Sequence, residues 1–328
     1  MRVLILGGTG HIGHSLTQHY ANDGAEVIVA ARGQTATISP DGRENRAAFW
    51  ERVRMISLDR AAAERRVDAS GRTEWQAMLN AVRADLVIDL IAYHLESVRQ
   101  TIEAIRSTAR HYIVIGTGWR FGAPRSLPTR EDDPALPQSD YGREKQAIRE
   151  LLLSEFQTNG FAGTQIDPPA IQGAPKIPNC PTGLRLLEVH QEIADGKEII
   201  IPGTGETLLG LVHVADVAQM VILAAAQRDR AAGEAFNAAG DSGMTYNGLF
   251  EFTRELFGSK ATASHLSLDE FEKHSPQRTS RHHTLYHQLL SNEKAKRVLG
   301  FRPQWDSREA LLDGFRYLVN TGRLRGKI

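Results

Sequence analysis

The 328-residue sequence contains a single cysteine, Cys180, and this scarcity limits the chemistry available to the chain. One thiol cannot form an intramolecular disulfide, and it cannot supply the several thiolates of a structural zinc site. Cys180 also lies in the proline-bracketed segment Pro178–Pro181, where nothing in the neighbouring sequence would activate its sulfur. We therefore expect no thiol catalysis and no metal site.

An excess of charge of one sign and long apolar runs are also missing. The 39 basic and 39 acidic residues give a formal net charge of +0, without an extended run of lysine and arginine. Such a balance offers no long-range attraction to nucleic acid or to an anionic membrane. No apolar run approaches the ~20 residues that span a bilayer, and residues 1–6 already form a predicted strand rather than a targeting peptide. We expect a cytoplasmic protein with a small-molecule substrate and with no nucleic-acid or membrane partner.

What the sequence does contain is an alternation of short apolar runs with amphipathic stretches, which is typical of βαβ units around a parallel sheet. The runs are nearly continuous, as expected for strands covered by helices on both faces. The predicted strands are Val3–Leu6, Glu26–Ala31, Val53–Leu58, Leu86–Leu90 and Tyr112–Ile115. The predicted helices include Gly13–Asp23, Glu74–Val82, Leu95–Ala109 and a segment that runs from Ser139 or Asp140 to Glu155.

The pattern changes after about residue 166, where several prolines interrupt it and shorter elements follow. We predict an α/β fold with a Rossmann-type doubly wound parallel sheet in a dinucleotide-binding domain, residues 1–166. A smaller mixed C-terminal lobe, residues 167–328, is expected to bind the substrate. Residues 207–230 are expected to rejoin the first domain, with Leu208–Val214 as a strand and Val217–Ala226 as a helix.

A cluster of glycines directly follows the first predicted strand and precedes a predicted helix. The first glycine permits a tight turn, the second lets the backbone approach a pyrophosphate, and the third lets the helix pack closely on the strand. The helix start then offers free N–H groups to the anion. At the start of a βα pattern this cluster predicts a dinucleotide site rather than a simple turn. The predicted contacts are Gly7, Thr9, Gly10, His11, Ile12 and Gly13, completed by Leu90, Ala92 and Pro168.

The end of the second predicted strand discriminates between the two nicotinamide cofactors. A carboxylate there would bind a ribose 2′-hydroxyl, whereas an arginine accommodates a 2′-phosphate. This chain has Arg32 at that point, which favours NADP(H) over NAD(H), although a solvated loop arginine remains the alternative. Asp59, which follows the third strand, is placed to receive the adenine amino group, unless it is a plain surface carboxylate.

Tyr141 and Lys145 are four residues apart on one predicted helix and therefore share a face. A lysine ammonium beside a phenol favours the phenolate, which would bring the tyrosine pKa toward the working pH. Thr117 follows the fifth predicted strand, at the edge of the sheet where ligands bind in open α/β folds. Its hydroxyl could hold a substrate carbonyl for protonation by Tyr141. Thr117, Tyr141 and Lys145 are the predicted catalytic set.

With these motifs, several further segments resemble the extended branch of the short-chain dehydrogenase/reductase family, which includes UDP-galactose epimerase and dihydroflavonol-type reductases. The segments are Phe121-Gly122, Asp167–Pro169, His213–Ala218, Phe236-Asn237 and Lys296–Pro303. The resemblance implies that Lys145 also hydrogen-bonds the nicotinamide ribose, and that Tyr141 moves a proton while hydride passes at nicotinamide C4. It also implies a homodimer through the helix of Tyr141 and the helix before it.

The sequence departs from that family in three places. Gly118 and Trp119 follow Thr117 where sugar-nucleotide dehydratases have Asp-Glu, which argues against dehydration. The stretch before His213 lacks the arginine with which many members reach a substrate phosphate, and Asp167 stands where an arginine is common. We therefore expect a ketone reductase or alcohol dehydrogenase acting on a small organic compound, unless arginines of the lobe compensate. The candidates for compensation are Arg185, Arg278 and Arg281.

The predicted substrate contacts are His94 and Trp119, which follow strands, and Arg281 and His282, which lie in the lobe. Two alternative functions stay open at this point. One is a nucleotide-sugar epimerase with tightly bound NAD. The other is a non-catalytic family member that senses the cofactor or binds RNA.

Overall fold

The structure is a computed structural model and describes residues 1–33, 48–278 and 281–328. The strands are β1 (Arg2–Leu6), β2 (Glu26–Ala31), β3 (Val53–Ser57), β4 (Leu86–Asp89), β5 (His111–Ile115), β6 (Gly163–Asp167), β7 (Ala170–Gln172), β8 (Ile199–Pro202), β9 (Leu208–His213), β10 (Ala235–Asn237), β11 (Gly243–Thr245) and β12 (Ala263–Leu266). The helices are α1 (His11–Asn22), α2 (Arg60–Ala63), α3 (Glu74–Val82), α4 (Leu95–Ile105), α5 (Asp140–Asn159), α6 (Leu187–Ala194), α7 (Val214–Ala226), α8 (Arg228–Ala231), α9 (Tyr246–Leu256), α10 (Leu268–His274), α11 (Arg281–Leu285), α12 (Glu293–Leu299) and α13 (Ser307–Asn320).

Seven strands form one parallel sheet in the order β10-β6-β5-β4-β1-β2-β3. This architecture confirms the predicted Rossmann-type α/β fold, and β1 to β5 lie within one or two residues of the predicted strands. Strands β2 and β3 are added to the sheet on one side of β1, and β4, β5 and β6 are added on the other side. The carboxyl ends of β1 and β4 therefore flank the switch point, where ligands bind in such sheets.

Apolar residues on both faces of this sheet are buried under helices. Leu16 of α1, Val221 of α7 and Leu299 of α12 belong to the cluster on one face, with Val3 and Ile5 of β1. The other face of the sheet packs against α3, α4 and α5, through residues such as Trp75, Ile102 and Leu152. Burial on both faces explains why the strand sequences are nearly continuous apolar runs. Within the described ranges, no helix is both long and apolar enough to cross a membrane.

The predicted strand Leu208–Val214 is present, but it does not join the main sheet. That segment forms β9, which pairs in parallel with β7 and antiparallel with β11 in a separate three-stranded sheet. The edge beside β6 is instead taken by β10, whose Ala235–Asn237 pairs with Gln165–Asp167. Helix α7 does return, because it packs on α1 across one face of the main sheet.

The C-terminal lobe has an apolar core of its own. It contains Val189 of α6, Phe250 of α9, Phe315 of α13 and Leu211 of β9. Strands β8 and β12 form a small two-stranded sheet beside it. The segment with α12 crosses back and packs on the first domain, through Ala295 and Leu299. Helix α12 therefore connects the lobe to the first domain, whereas α13 packs within the lobe through Leu311 and Phe315.

Candidate active site

The turn after β1 has the geometry that close approach of a phosphate needs. Gly7 adopts φ +82°, a left-handed conformation that side chains rarely tolerate, and a Cβ there would lie 2.8 Å from Ile91 Cγ2. A Cβ on Gly13 would lie 2.6 Å from the Gly7 carbonyl oxygen, so only glycine lets α1 start this close to the strand. Gly10 caps α1 without a side-chain hydrogen bond, which leaves the first N–H groups of the helix available to an anion.

Two cavities, of about 420 and 380 Å³, meet at this turn and share Gly7, Thr9 and Gly10 as lining residues. The first cavity is also lined by His11, Ile12, Gly13 and Leu90, and the second by Arg32 and Asp59. A dinucleotide has two halves joined by a pyrophosphate, and two cavities joined at a helix N-terminus fit that shape. The residues present therefore fit a nicotinamide dinucleotide.

Two residues predicted to contact the cofactor contribute only backbone groups to the described contacts. Ala92 is fully buried, and its carbonyl oxygen accepts a hydrogen bond from Lys145 Nζ at 2.7 Å. The carbonyl oxygen of Pro168 accepts from the backbone N–H of Gly118 at 2.9 Å. The two carbonyl oxygens thus bind Lys145 and the turn after Thr117, two parts of the predicted catalytic set.

The second cavity presents charged groups of both signs. Arg32 is exposed on its wall, whereas the neighbouring Arg60 guanidinium is buried in an ion pair with Asp89 at 2.8 Å. Asp59 accepts a hydrogen bond from the backbone N–H of Ala62 and so caps α2. His94 lines this same cavity, which places it with the residues predicted to bind the cofactor rather than beside Trp119.

Thr117, Tyr141 and Lys145 come together at the carboxyl edge of the sheet. Ser139 caps α5 by accepting a hydrogen bond from the Gly142 N–H, and α5 then presents Tyr141 and Lys145 one turn apart. The Thr117 side chain interacts with the Tyr141 phenol and lowers its pKa, against the larger effect of burial. Lys145 Nζ lies 5.6 Å from the centre of the Tyr141 ring. This grouping brings a phenol, a hydroxyl and an ammonium together at one edge of the sheet, which are the groups that the sequence predicts for proton transfer.

The electrostatics of this set differ from the sequence-based expectation. Tyr141 is 41% exposed overall, but its phenolic end is buried, and this burial raises the pKa of Tyr141 to about 12. Burial also lowers the pKa of Lys145 to about 8. Lys145 does not bring the tyrosine pKa down because its ammonium donates to the carbonyl oxygens of Ala92 and Ile115, at 2.7 and 2.6 Å. The phenol is therefore protonated at neutral pH.

Asp167, which was expected to place a negative charge in the substrate cleft, lies in the interior instead. It is fully buried, and its Oδ2 accepts from Arg120 Nε at 2.7 Å. Asp167 is therefore a buried carboxylate paired with Arg120 and not a free charge in the cleft. The reason is topological, since β5 and β6 are neighbours and bring residues 120 and 167 together.

On the lobe side, His283 rather than His282 approaches the catalytic loop. The rings of Trp119 and His283 stack at 4.5 Å with 24° between their planes, and His283 Nδ1 lies 2.9 Å from the Gly183 carbonyl oxygen. His282 is exposed, and Arg281 forms ion pairs with Asp269 and Glu272. Helix α11 is too short for its hydrophobic pattern to show which face is buried. The sequence therefore could not predict that His283, and not His282, faces Trp119.

Two more residues of the first cavity were missed. Tyr93 lines both cavities, and its ring centre lies 5.3 Å from Lys145 Nζ. Its position directly after β4, at the carboxyl edge, was the signal that could have found it. Lys176 lines the first cavity, although it belongs to the segment after β7 that shows no motif. Among the residues the structure describes, no group of three or more His, Cys, Asp or Glu could hold a metal ion.

The sheet, the glycine turn and the tyrosine–lysine pair together define an enzyme that binds a nicotinamide dinucleotide. Residues 3–239 match the model of the NAD dependent epimerase/dehydratase family. The chain belongs to this family of NAD(P)-dependent enzymes, as the resemblance of its motifs implied.

Three curated relatives show the range of functions associated with similar chains. The chloroplast stem-loop binding protein of 41 kDa b from Arabidopsis thaliana is 26% identical over 334 aligned positions, covering 99% of this chain and 81% of the relative. The dTDP-6-deoxy-L-talose 4-dehydrogenase (NAD(P)(+)) of Kitasatospora kifunensis is 29% identical and covers 78% and 79%. The UDP-glucose 4-epimerase of Streptococcus mutans is 24% identical and covers 95% of both chains.

Solved structures are similar over the whole length. The crystal structure of the UDP-glucose 4-epimerase from Thermotoga maritima has a TM-score of 0.74 and 20% identity, and covers 98% of this chain and 99% of that one. At this identity the similarity concerns the fold. The relatives therefore establish family and fold, and leave the reaction to the residues of the site.

Proposed function

We propose that this protein is an NAD(P)-dependent oxidoreductase of the ketone reductase/alcohol dehydrogenase type, with Tyr141 as its acid and base. The observation that supports this most directly is the position of Lys145 Nζ, 5.6 Å from the centre of the Tyr141 ring and 5.3 Å from that of Tyr93, which lines the first cavity. The Thr117 side chain interacts with the same Tyr141 phenol. Such a pair binds a carbonyl oxygen and supplies a proton to it. The nicotinamide, when bound, supplies or accepts the hydride at C4.

Burial raises the pKa of Tyr141 to about 12, so the phenol is protonated at neutral pH and is in the form that donates a proton during carbonyl reduction. A protonated phenol can donate its proton to the developing alkoxide, whereas alcohol oxidation first requires the phenolate. Thr117 orients the substrate oxygen, and its own hydroxyl is fixed because it accepts a hydrogen bond from the Trp119 N–H. Lys145, held by two carbonyl oxygens, is positioned at the same edge for the ribose.

The lobe supports a small substrate rather than a nucleotide sugar. Two phosphates need paired cations or N–H groups when they are buried. Arg278 forms an ion pair with Glu192, Arg281 pairs with two carboxylates, and Arg185 donates to the carbonyl oxygens of Ile171 and Ile177. The three arginines that could have compensated for the missing phosphate contact are therefore already engaged.

We also propose that NADP(H) is preferred to NAD(H). Arg32 is exposed on the wall of the second cavity, and the adjacent Arg60 is occupied by Asp89 and Glu64. Arg32 is thus placed to accommodate a 2′-phosphate.

The direct test is NADPH oxidation, followed by absorbance, over a panel of ketones and aldehydes that includes aliphatic, aromatic and hydroxylated compounds. Wild-type protein should reduce members of one chemical group, and Tyr141→Phe should not. If no compound in a broad panel is reduced while NADPH binds, the reductase proposal is wrong.

Two other functions have support from named relatives. The UDP-glucose 4-epimerase favours an epimerase, for which the protein as isolated should carry NAD absorbance and bind UDP. The chloroplast stem-loop binding protein favours RNA binding, which a gel-shift titration with a structured RNA would detect. A preserved Thr117, Tyr141 and Lys145 set supports catalysis over a purely binding role.

A further inference from the structure

A buried ion pair lies directly behind the catalytic set. Arg120 belongs to the short turn Gly118–Phe121 that follows Thr117, and Asp167 ends β6. The two side chains are 1% and 0% exposed, and Arg120 Nε lies 2.7 Å from Asp167 Oδ2. An ion pair removed this completely from water is costly unless its remaining hydrogen-bonding groups are satisfied. The contacts of both side chains show how those groups are satisfied.

Asp167 is bonded to the catalytic loop itself. Its Oδ1 accepts the backbone N–H of Thr117 at 2.9 Å and the side chain of Gln165 at 2.8 Å. A Cβ on Gly116 would lie 1.9 Å from the same oxygen, so the carboxylate touches the backbone that leads into Thr117. The height of Thr117 above the sheet is set by this contact.

Arg120 extends the connection to the helix that bears the other catalytic residues. Its Nη1 donates to the side chain of Gln146, the neighbour of Lys145 on α5, at 3.1 Å. Its Nη2 donates to the carbonyl oxygen of Glu131 at 3.3 Å, and the guanidinium carbon lies 3.8 Å from the centre of the Phe121 ring. The pair therefore joins β6, the Thr117 loop and α5, which are the three elements around the reacting oxygen.

We propose that Arg120 and Asp167 are positioning residues that fix Thr117 relative to Tyr141 and cancel each other's charge behind the phenol. This proposal rests on the proposed function for its effect on turnover. The position of Thr117 and the pKa of Tyr141 are properties of the protein itself, so this part of the proposal is testable without a substrate.

The electrostatic part follows from the groups around Tyr141. These are Tyr93 after β4, Lys145 on α5, and Asp167 with Arg120 behind the loop, while His283 lies on the far side of Trp119. Burial has the largest effect and raises the Tyr141 pKa, the Thr117 side chain lowers it, and Tyr93 and Asp167 raise it further. Removing one member of the pair leaves the charge of the other uncompensated. The two single variants should therefore shift the phenol in opposite directions.

The test replaces Tyr141 with a fluorinated tyrosine whose phenol ionises at lower pH, and follows its ¹⁹F resonance during a pH titration. Asp167→Asn leaves the Arg120 cation and should lower the pKa of residue 141 by about one unit. Arg120→Met leaves the Asp167 anion and should raise it by about one unit. Shifts in the same direction, or no shift in either variant, would overturn the proposal.

Turnover gives the second readout. Arg120→Lys keeps the charge but loses the planar fork, so it should leave the Tyr141 pKa unchanged while kcat falls by about 10- to 100-fold through misplacement of Thr117. NADPH affinity should stay within about threefold in all variants that fold. If Asp167→Asn does not fold, Arg120→Lys still tests the proposal. An unchanged kcat in Arg120→Lys would refute the positioning role.

The matched control is Glu192→Gln, which removes the half-buried Arg278–Glu192 pair of the lobe and should change neither the resonance titration nor NADPH affinity. If the ¹⁹F shifts appear as expected but no carbonyl compound is reduced, the positioning pair stands and the proposed function fails. If a carbonyl compound is reduced but the two variants do not shift the pKa of residue 141 in opposite directions, the proposed function stands and the proposal for Arg120 and Asp167 fails.

Discussion

Lys145 Nζ lies 5.6 Å from the centre of the Tyr141 ring and donates to the carbonyl oxygens of Ile115 and Ala92 at 2.6 and 2.7 Å. The ammonium is therefore fixed by the end of β5 and by the loop after β4, and not by the phenol. Its buried position lowers the pKa of Lys145 to about 8, so it is largely charged at neutral pH. We infer that Lys145 mainly sets the geometry of the cleft, and that the Thr117 side chain interacts with the Tyr141 phenol in a way that favours its ionised form.

Tyr141→Phe should reduce kcat by about 10²- to 10⁴-fold, which is the usual contribution of a general acid or base. NADPH affinity should remain within a few-fold, because the phenol is not part of the glycine turn that binds the pyrophosphate. Steady-state kinetics with fluorescence titration of NADPH measures both quantities. Tyr286→Phe, on the loop after α11, is the matched control and should retain full activity. Activity of Tyr141→Phe close to that of wild type would reject the assignment.

Acid should destabilise the protein through buried neutral histidines. Burial lowers the pKa of His111 and of His190 to about 4, whereas an unfolded chain protonates histidine near 6.5. Between these values the unfolded state binds more protons, so stability is present above about pH 6.5 and is lost as the pH falls toward about 4. Each residue should account for a loss on the order of 2 kcal/mol at pH 5.

Urea unfolding at pH 7 and pH 5 measures this loss. His190→Gln should be less stable than wild type at pH 7 but should lose less stability between the two pH values, because its buried imidazole is gone. His274→Gln alters an exposed histidine and should keep the wild-type pH dependence. The same pH dependence in His190→Gln as in wild type would show that this imidazole is not held neutral.

Local sequence patterns predicted the first five strands and the glycine turn because each depends on contiguous residues. Strands β6 and β10 escaped notice, since Gly163–Asp167 has few apolar residues and Ala235–Asn237 has only three positions. The partner of β9 depends on how distant segments assemble, which periodicity does not encode.

The same limit applies to the site. Tyr141 and Lys145 were found through their helical spacing, whereas Arg120 and Asp167 are 47 residues apart and meet only because β5 and β6 are adjacent. A charged residue in an unusual place, such as Asp167, can signal a compensating partner, but the sequence does not say which one. The pKa of Tyr141 was misjudged because burial, which has the largest effect on it, is a property of the assembled cleft.

Arg32→Asp should weaken NADPH binding much more than NADH binding. The change removes a cation and adds a like charge beside the 2′-phosphate, while NADH keeps a hydroxyl that a carboxylate can accept from. Titration of both cofactors with wild type and variant gives the ratio of dissociation constants. Arg316→Asp, on the exposed face of α13, controls for the change in net charge. Equal losses for NADPH and NADH would show that Arg32 does not contact the phosphate.

UDP and dTDP should not bind measurably to the protein saturated with NADPH. Strand β9, where an arginine would reach a substrate phosphate, contributes the buried Leu209 and Leu211 to the lobe core instead. Arg278 and Arg281 are held by carboxylates, so freeing either for a phosphate would break an existing ion pair. Isothermal calorimetry with UDP and dTDP is the measurement, with NADPH added to protein alone as the positive control. Micromolar binding of either nucleotide would make the nucleotide-sugar epimerase the better description of this enzyme.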